Sequence, residues 1–149
     1  MSARKDIELW FDLHDLAVQY WADVNSNFGK CAHEFYVEDG IFMIGENRHA
    51  GRKAIQEFYT WRETRGARVA RHLTNVRAEC RADDEAVVKG CICLFAADGV
   101  PIFESKSPTM VADFEAVCLR GADRKWRFKS HAVTLLFRGE GWLKSPSAS

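Results

Sequence analysis

Asp39 and His72 are the residues best placed to move a proton, because each alternates along a strand with apolar neighbours. Asp39 shares its strand face with Val37, Ile41 and Met43. On the strand that starts at Ala67, the even positions include Ala70, His72, Thr74, Val76 and Ala78, whereas Arg71, Asn75, Arg77 and Glu79 form the wetter set. That phase puts both side chains on the inner face of a sheet. An unpaired buried carboxylate costs several kcal/mol, of order ~5, so Asp39 there is either hydrogen-bonded or working. With Asp39 as base and His72 as partner or acid, the pair could take a proton from beside a carbonyl and return it to a neighbouring carbon or oxygen. Isomerisation, dehydration and aldol-type cyclisation share that step, and it calls for no cofactor and no metal. Structural readings stand beside the chemical one: Asp39 before Gly40 can cap a bend, and His72 can be a satisfied core imidazole.

Tyr20, Tyr36 and Tyr59 are candidate donors to a developing enolate oxygen, with His49 and His131 as further substrate contacts. Tyr36 is out of phase with Asp39 on an ideal strand. His131 alternates with Val133, Leu135 and Phe137 against Trp126 and Phe128, and either face can be the inner one.

The elements that must position these residues follow from periodicity. Leu9, Leu13, Leu16, Tyr20 and Val24 recur at helical steps across Asp6 to Val24. After Asn25-Ser26-Asn27, a short second helix is expected over Phe28 to Phe35, then a strand from Tyr36 to Ile44 and a short second strand after Gly45. A third helix opens near Gly51, carries Ile55, Phe58 and Tyr59 inward and closes at Gly66. Four long strands are predicted at Ala67 to Arg81, Ala86 to Ala97, Pro108 to Arg120 and Lys125 to Phe137. Turn residues such as Asp83-Asp84 and Gly121-Ala122-Asp123 join neighbours closely, which makes these strands antiparallel. The expectation is one α+β domain over 1–138, helices packed on a curved, mainly antiparallel sheet, with a loose tail at 139–149.

Composition narrows the function classes. The chain has 149 residues, 47% of them hydrophobic, and its 21 basic and 21 acidic side chains cancel. Balanced charge argues against nucleic acid or an anionic membrane as partner. The local cluster Arg62, Arg65, Arg68 and Arg71 reads as a solvated helix end and strand start. No apolar run is long enough to span a membrane and Met1 to Leu9 lacks a signal core, so a cytoplasmic location is expected. The five cysteines are odd in number and mostly set in apolar runs, in keeping with that.

Three motifs carry a resemblance: Tyr36-Val37-Glu38-Asp39-Gly40, Gly51-Arg52-Lys53-Ala54-Ile55, and Arg71-His72-Leu73-Thr74-Asn75-Val76. In this order, and with matching elements from about Asp6 to Arg138, the chain resembles the nuclear transport factor 2-like superfamily, in its SnoaL-like, polyketide cyclase-like branch. The resemblance implies a cone of helices and curved sheet, usually a homodimer, with a hydrophobic small-molecule ligand in the cone. It also sets Asp39 where ketosteroid isomerase-like and dehydratase-like members carry an acid, and His72 on the strand of the dehydratases' histidine. The function it implies is a cofactor-free isomerase, dehydratase or cyclase. The alternatives are a non-catalytic binding or association module, or the small subunit of a ring-hydroxylating dioxygenase.

Overall fold

In the computed structural model, which describes residues 3–139, apolar residues at three- and four-residue steps wind Ala3–Asn27 into helix α1. Its buried stripe is Leu13, Ala17, Tyr20, Trp21 and Val24. The helix stops where Phe28 and Gly29 both take left-handed backbone, φ 58° and 73°. This break reduces the expected second helix to a turn and a four-residue 3-10 helix, Ala32–Phe35. Strand β1 then runs Tyr36–Ile44 and pairs through a tight turn with β2, Asn47–Ala50. Helix α2, Arg52–Arg65, ends at Gly66 in left-handed conformation (φ 68°), whose N–H bonds the Glu63 carbonyl.

Four strands complete the sheet: β3 Arg68–Ala82, β4 Glu85–Ala97, β5 Met110–Arg120 and β6 Trp126–Arg138. β3 to β6 are antiparallel neighbours, as the short connections require. β5 starts two residues later than predicted, since Pro108 and Thr109 close the connection after β4 instead of entering the strand. The order is β2-β1-β6-β5-β4-β3, and the one parallel pairing among the described residues, β1 with β6, joins segments about ninety residues apart. α1 and α2 lie on the inner face of this open sheet, and their apolar stripes form one core with Phe42, Ile92, Phe114 and Phe128. Fully burying a side chain of this size contributes roughly 1.5–3 kcal/mol. No helix of the described residues is long and apolar enough to cross a membrane. The tail expectation lies almost wholly outside the described residues.

Two details of the sheet overturn the phase on which Asp39 and His72 were chosen. In β3 the register slips between Thr74 and Arg77, where Asn75 adopts φ 55°. A bulge of this kind swaps the faces of every residue beyond it. Before it Val69, Arg71 and Leu73 point inward; after it Val76 and Ala78 do. His72 took its apparent inner phase from the far side of the bulge, and its side chain is exposed, against Phe95. The carbonyl of Val76 accepts a 3.0 Å hydrogen bond from Trp10 Nε1, which ties α1 to the bulged strand. In β1 the core face is Tyr36, Gly40 and Phe42, so Asp39 points outward and is exposed.

Candidate functional site

Four of the residues nominated for chemistry meet in the core. Tyr20 comes from α1, Tyr36 from β1, Tyr59 from α2 and His131 from β6, and each is buried because it stands on its element's apolar phase. The Tyr36 hydroxyl donates to the Tyr20 hydroxyl at 3.0 Å and lies 3.2 Å from His131 Nδ1. Tyr20 and Tyr59 are hydrogen-bonded through their hydroxyls.

The direction of this chain follows from proton counting. Burial pushes His131 down to about 3, so the imidazole is neutral and carries a single N–H. With the Tyr36 proton on Tyr20, His131 Nδ1–H donates to Tyr36 and Nε2 is left as a bare lone pair. Nε2 is buried without a partner. Tyr20, having accepted from Tyr36, satisfies its own proton on the Tyr59 oxygen. The Tyr59 proton is then the one left free to donate outside the chain.

Tyr59 is also the most acidic of the three phenols. Burial raises all of them, Tyr20 and Tyr36 well above the ordinary value and Tyr59 to about 12. Burial is the largest influence on Tyr59, and it is opposed by the hydrogen bond from Tyr20 and the charges of Arg71 and Arg62. Arg62 lies three residues after Tyr59 on the same helix face. Arg71 reaches in from β3, donating to Asn25 Oδ1 at 2.9 Å and sitting 4.8 Å above the Trp21 ring.

Tyr59 and Arg62 form part of the wall of a cavity of about 70 Å³, with Val24 and Phe28 at the end of α1, Trp61 of α2 and Leu94 of β4. The lining is mainly apolar. Its carboxylate, Glu63, is 3.4 Å from Lys30 Nζ.

The structure thus brings Tyr20, Tyr36, Tyr59 and His131 into contact and leaves Asp39 and His72 outside, on the solvent side. His49 stands apart from the cavity wall, buried between Phe42 and Phe58 with its Nε2 unpartnered, and burial lowers its pKa. Arg62 and Arg71 do not lie in a solvated cluster as their sequence context suggests: Arg62 lines the cavity and Arg71 packs on Trp21. The signals were the Tyr59–Arg62 spacing and the sharing of one β3 face by Val69, Arg71 and Leu73. From exposure alone, Asp39→Asn and His72→Ala should each change the unfolding free energy by less than ~0.5 kcal/mol in urea titrations. A loss above ~1 kcal/mol in either would contradict the outward placement.

No family model and no curated protein matches the sequence. Solved structures do match. A protein provisionally assigned as scytalone dehydratase from Novosphingobium aromaticivorans superposes with TM-score 0.80 at 13% identity, covering 98% of this chain and 96% of its own. An NTF2-like protein with a cystatin-like fold from the same organism gives 0.72 at 20% identity, over 91% and 85%. ActVI-ORFA from Streptomyces coelicolor gives 0.75 at 13% identity, over 86% and 97%. Identities this low speak for fold and not for activity. With its order of elements, its helices on the inner face of one open sheet and these neighbours, the chain has the cystatin-like fold of the nuclear transport factor 2-like proteins.

Proposed function

We propose that the cavity binds a hydrophobic carbonyl compound and that the Tyr59 hydroxyl donates to its oxygen, as in cofactor-free isomerases, dehydratases and cyclases. The observation that carries this reading is the oriented chain His131–Tyr36–Tyr20–Tyr59, which ends on the cavity wall beside Arg62. A donor fixed in advance at the place where negative charge develops stabilises an enolate without reorganisation at the moment of reaction. Arg62 and Arg71 strengthen that donor by favouring negative charge on the Tyr59 oxygen. Ligand pockets usually enclose ~300–1,000 Å³, so the walls part on binding. Phe28 and Trp61, both partly exposed at the wall, are the side chains with room to swing.

The test is turnover of a panel of enolisable bicyclic ketones by wild type and Tyr59→Phe. The expected outcome is measurable turnover that falls by about tenfold to a hundredfold in the variant. Equal rates would remove Tyr59 from the reaction.

A second reading, binding without turnover, is favoured by the state of the wall's carboxylate. Glu63 is paired with Lys30 and its side chain is 41% exposed, a poor setting for a general base. Retained affinity for the ketones with no turnover by wild type would select this reading.

A further inference from the structure

Building on that reading of the cavity as a ligand site, we propose that the ligand class is a hydrophobic carboxylic acid whose carboxylate binds Arg62, with Arg71 reinforcing it from behind. On the cavity wall, Arg62 has no carboxylate of the described residues within ion-pair distance. Among the described residues, the ion pairs engage Arg4, Lys30, Arg52, Lys89, Arg120 and Arg127, and neither Arg62 nor Arg71. Arg71 is held by a neutral amide and an indole ring, and the guanidinium of Arg65, also on the wall, lies 5.8 Å above Trp61.

The nearby carboxylates turn to other donors, Asp23 keeping its negative charge. Glu63 pairs with Lys30, and Asp23 accepts from Asn27 Nδ2 at 2.8 Å and from the Cys31 N–H at 3.1 Å. Burial lowers the pKa of Arg62. It also lowers Arg71, to about 9, with the Arg62 charge adding to the effect. Both keep their charge at neutral pH, and an anion between ligand body and helix would relieve the strain on each.

The chemistry of that anion follows from the wall. A guanidinium presents a planar fork that matches a carboxylate through two parallel N–H···O bonds. A phosphate, with its higher charge and further oxygens, would need more donors than this mainly apolar wall supplies. Val24, Phe58 and Leu94 suit a ring-bearing body. Because Tyr59 and Arg62 share one face of α2, a keto acid could place its carboxylate on Arg62 and its carbonyl oxygen on Tyr59.

The experiment compares two probes of nearly equal shape, 2-naphthoate and the uncharged ketone 2-acetonaphthone, by calorimetric titration of wild type, Arg62→Met, Arg62→Lys and Arg71→Met. Wild type is expected to prefer the carboxylate by about tenfold or more. Arg62→Met should bring that preference close to unity by weakening the acid far more than the ketone, Arg62→Lys should keep part of it, and Arg71→Met should weaken it less. Should Arg62→Met not fold, the wild-type preference and its partial loss in Arg62→Lys decide the matter. Equal binding of the two probes by wild type, or an unchanged preference in Arg62→Met, overturns the proposal. Arginine-dependent binding of the acid without turnover of any ketone supports this ligand class and removes the catalytic reading. Tyr59-dependent turnover of ketones with no preference for the acid does the reverse, and failure of both probes to bind at millimolar concentration overturns both.

Discussion

Lowering the pH from 6.5 towards 3 is expected to cost the fold on the order of 3–5 kcal/mol through His131 alone. The imidazole is wholly buried among Tyr20, Trp21, Tyr36, Phe42, Phe114 and Phe128, and its pKa is pushed down to about 3 by that burial. In the unfolded chain the same group titrates near ~6.5. Between these values the unfolded state binds a proton that the native state refuses, so stability is complete above pH 6.5 and falls as the pH drops, until the native state protonates too. Protonation would place an N–H on Nε2, which is buried and has no acceptor. His49, also lowered by burial, acts in the same direction. Asp123, held down to about 2 by hydrogen bonds from Arg127 and the Lys125 N–H, loses its contribution only below its unfolded value of ~3.9 and so leaves the window from pH 6.5 to 4.5 clear. Urea unfolding at pH 7.5, 6.5, 5.5 and 4.5 should show a steep fall for wild type and a shallower one for His131→Gln, whatever the variant's baseline. Parallel curves would mean that His131 is not the group responsible.

The elements were legible where local spacing determines them. The stripe from Leu9 to Val24 made α1, Gly66 closed α2, and β1 runs from Tyr36 to Ile44 as expected. What the sequence hid was set by single residues or by distant partners. Asn75 with a positive φ looks no different in a sequence from Asn75 in a regular strand, yet it reversed the face of His72. The left-handed pair Phe28 and Gly29 replaced a helix with a turn although the apolar spacing beyond it is helical. Tyr20, Tyr36, Tyr59 and His131 could be nominated by residue type, but their contact depends on β1 lying parallel to β6, a pairing of segments about ninety residues apart. Charge misled for a related reason. Arg71 counts as polar in any alternation test, whereas here its guanidinium lies on the Trp21 ring and its stem runs through the core face.

Gly29→Ala is expected to destabilise the protein by ~2–4 kcal/mol and to weaken ligand binding together with it. Part of that cost is conformational, since Gly29 sits at φ 73°. The rest comes from Tyr59: an added Cβ would lie 2.4 Å from its Cδ1, 2.6 Å from Cγ and 3.1 Å from Cβ. Relieving the overlap means turning the Tyr59 ring about χ1, which carries Cγ and Cδ1 away together. The ring is also held by Phe42, 6.1 Å away and nearly parallel, by the edge of Phe58 at 5.0 Å, and by the hydroxyl bond to Tyr20. Either the turn after α1 retreats or Tyr59 tilts, and a tilt breaks the hydrogen-bonded chain at Tyr59, which lines the cavity. Gly66 provides the control, for it has nearly the same φ, 68°, and nothing within 4 Å of an added Cβ. Gly66→Ala should therefore cost only the conformational part, about 1 kcal/mol, and leave affinity for 2-naphthoate and 2-acetonaphthone unchanged. Urea unfolding and calorimetric titration of the two variants side by side separate backbone strain from the contact with Tyr59. Equal destabilisation with unaltered affinity would mean that the close approach of Gly29 does not hold Tyr59 in place.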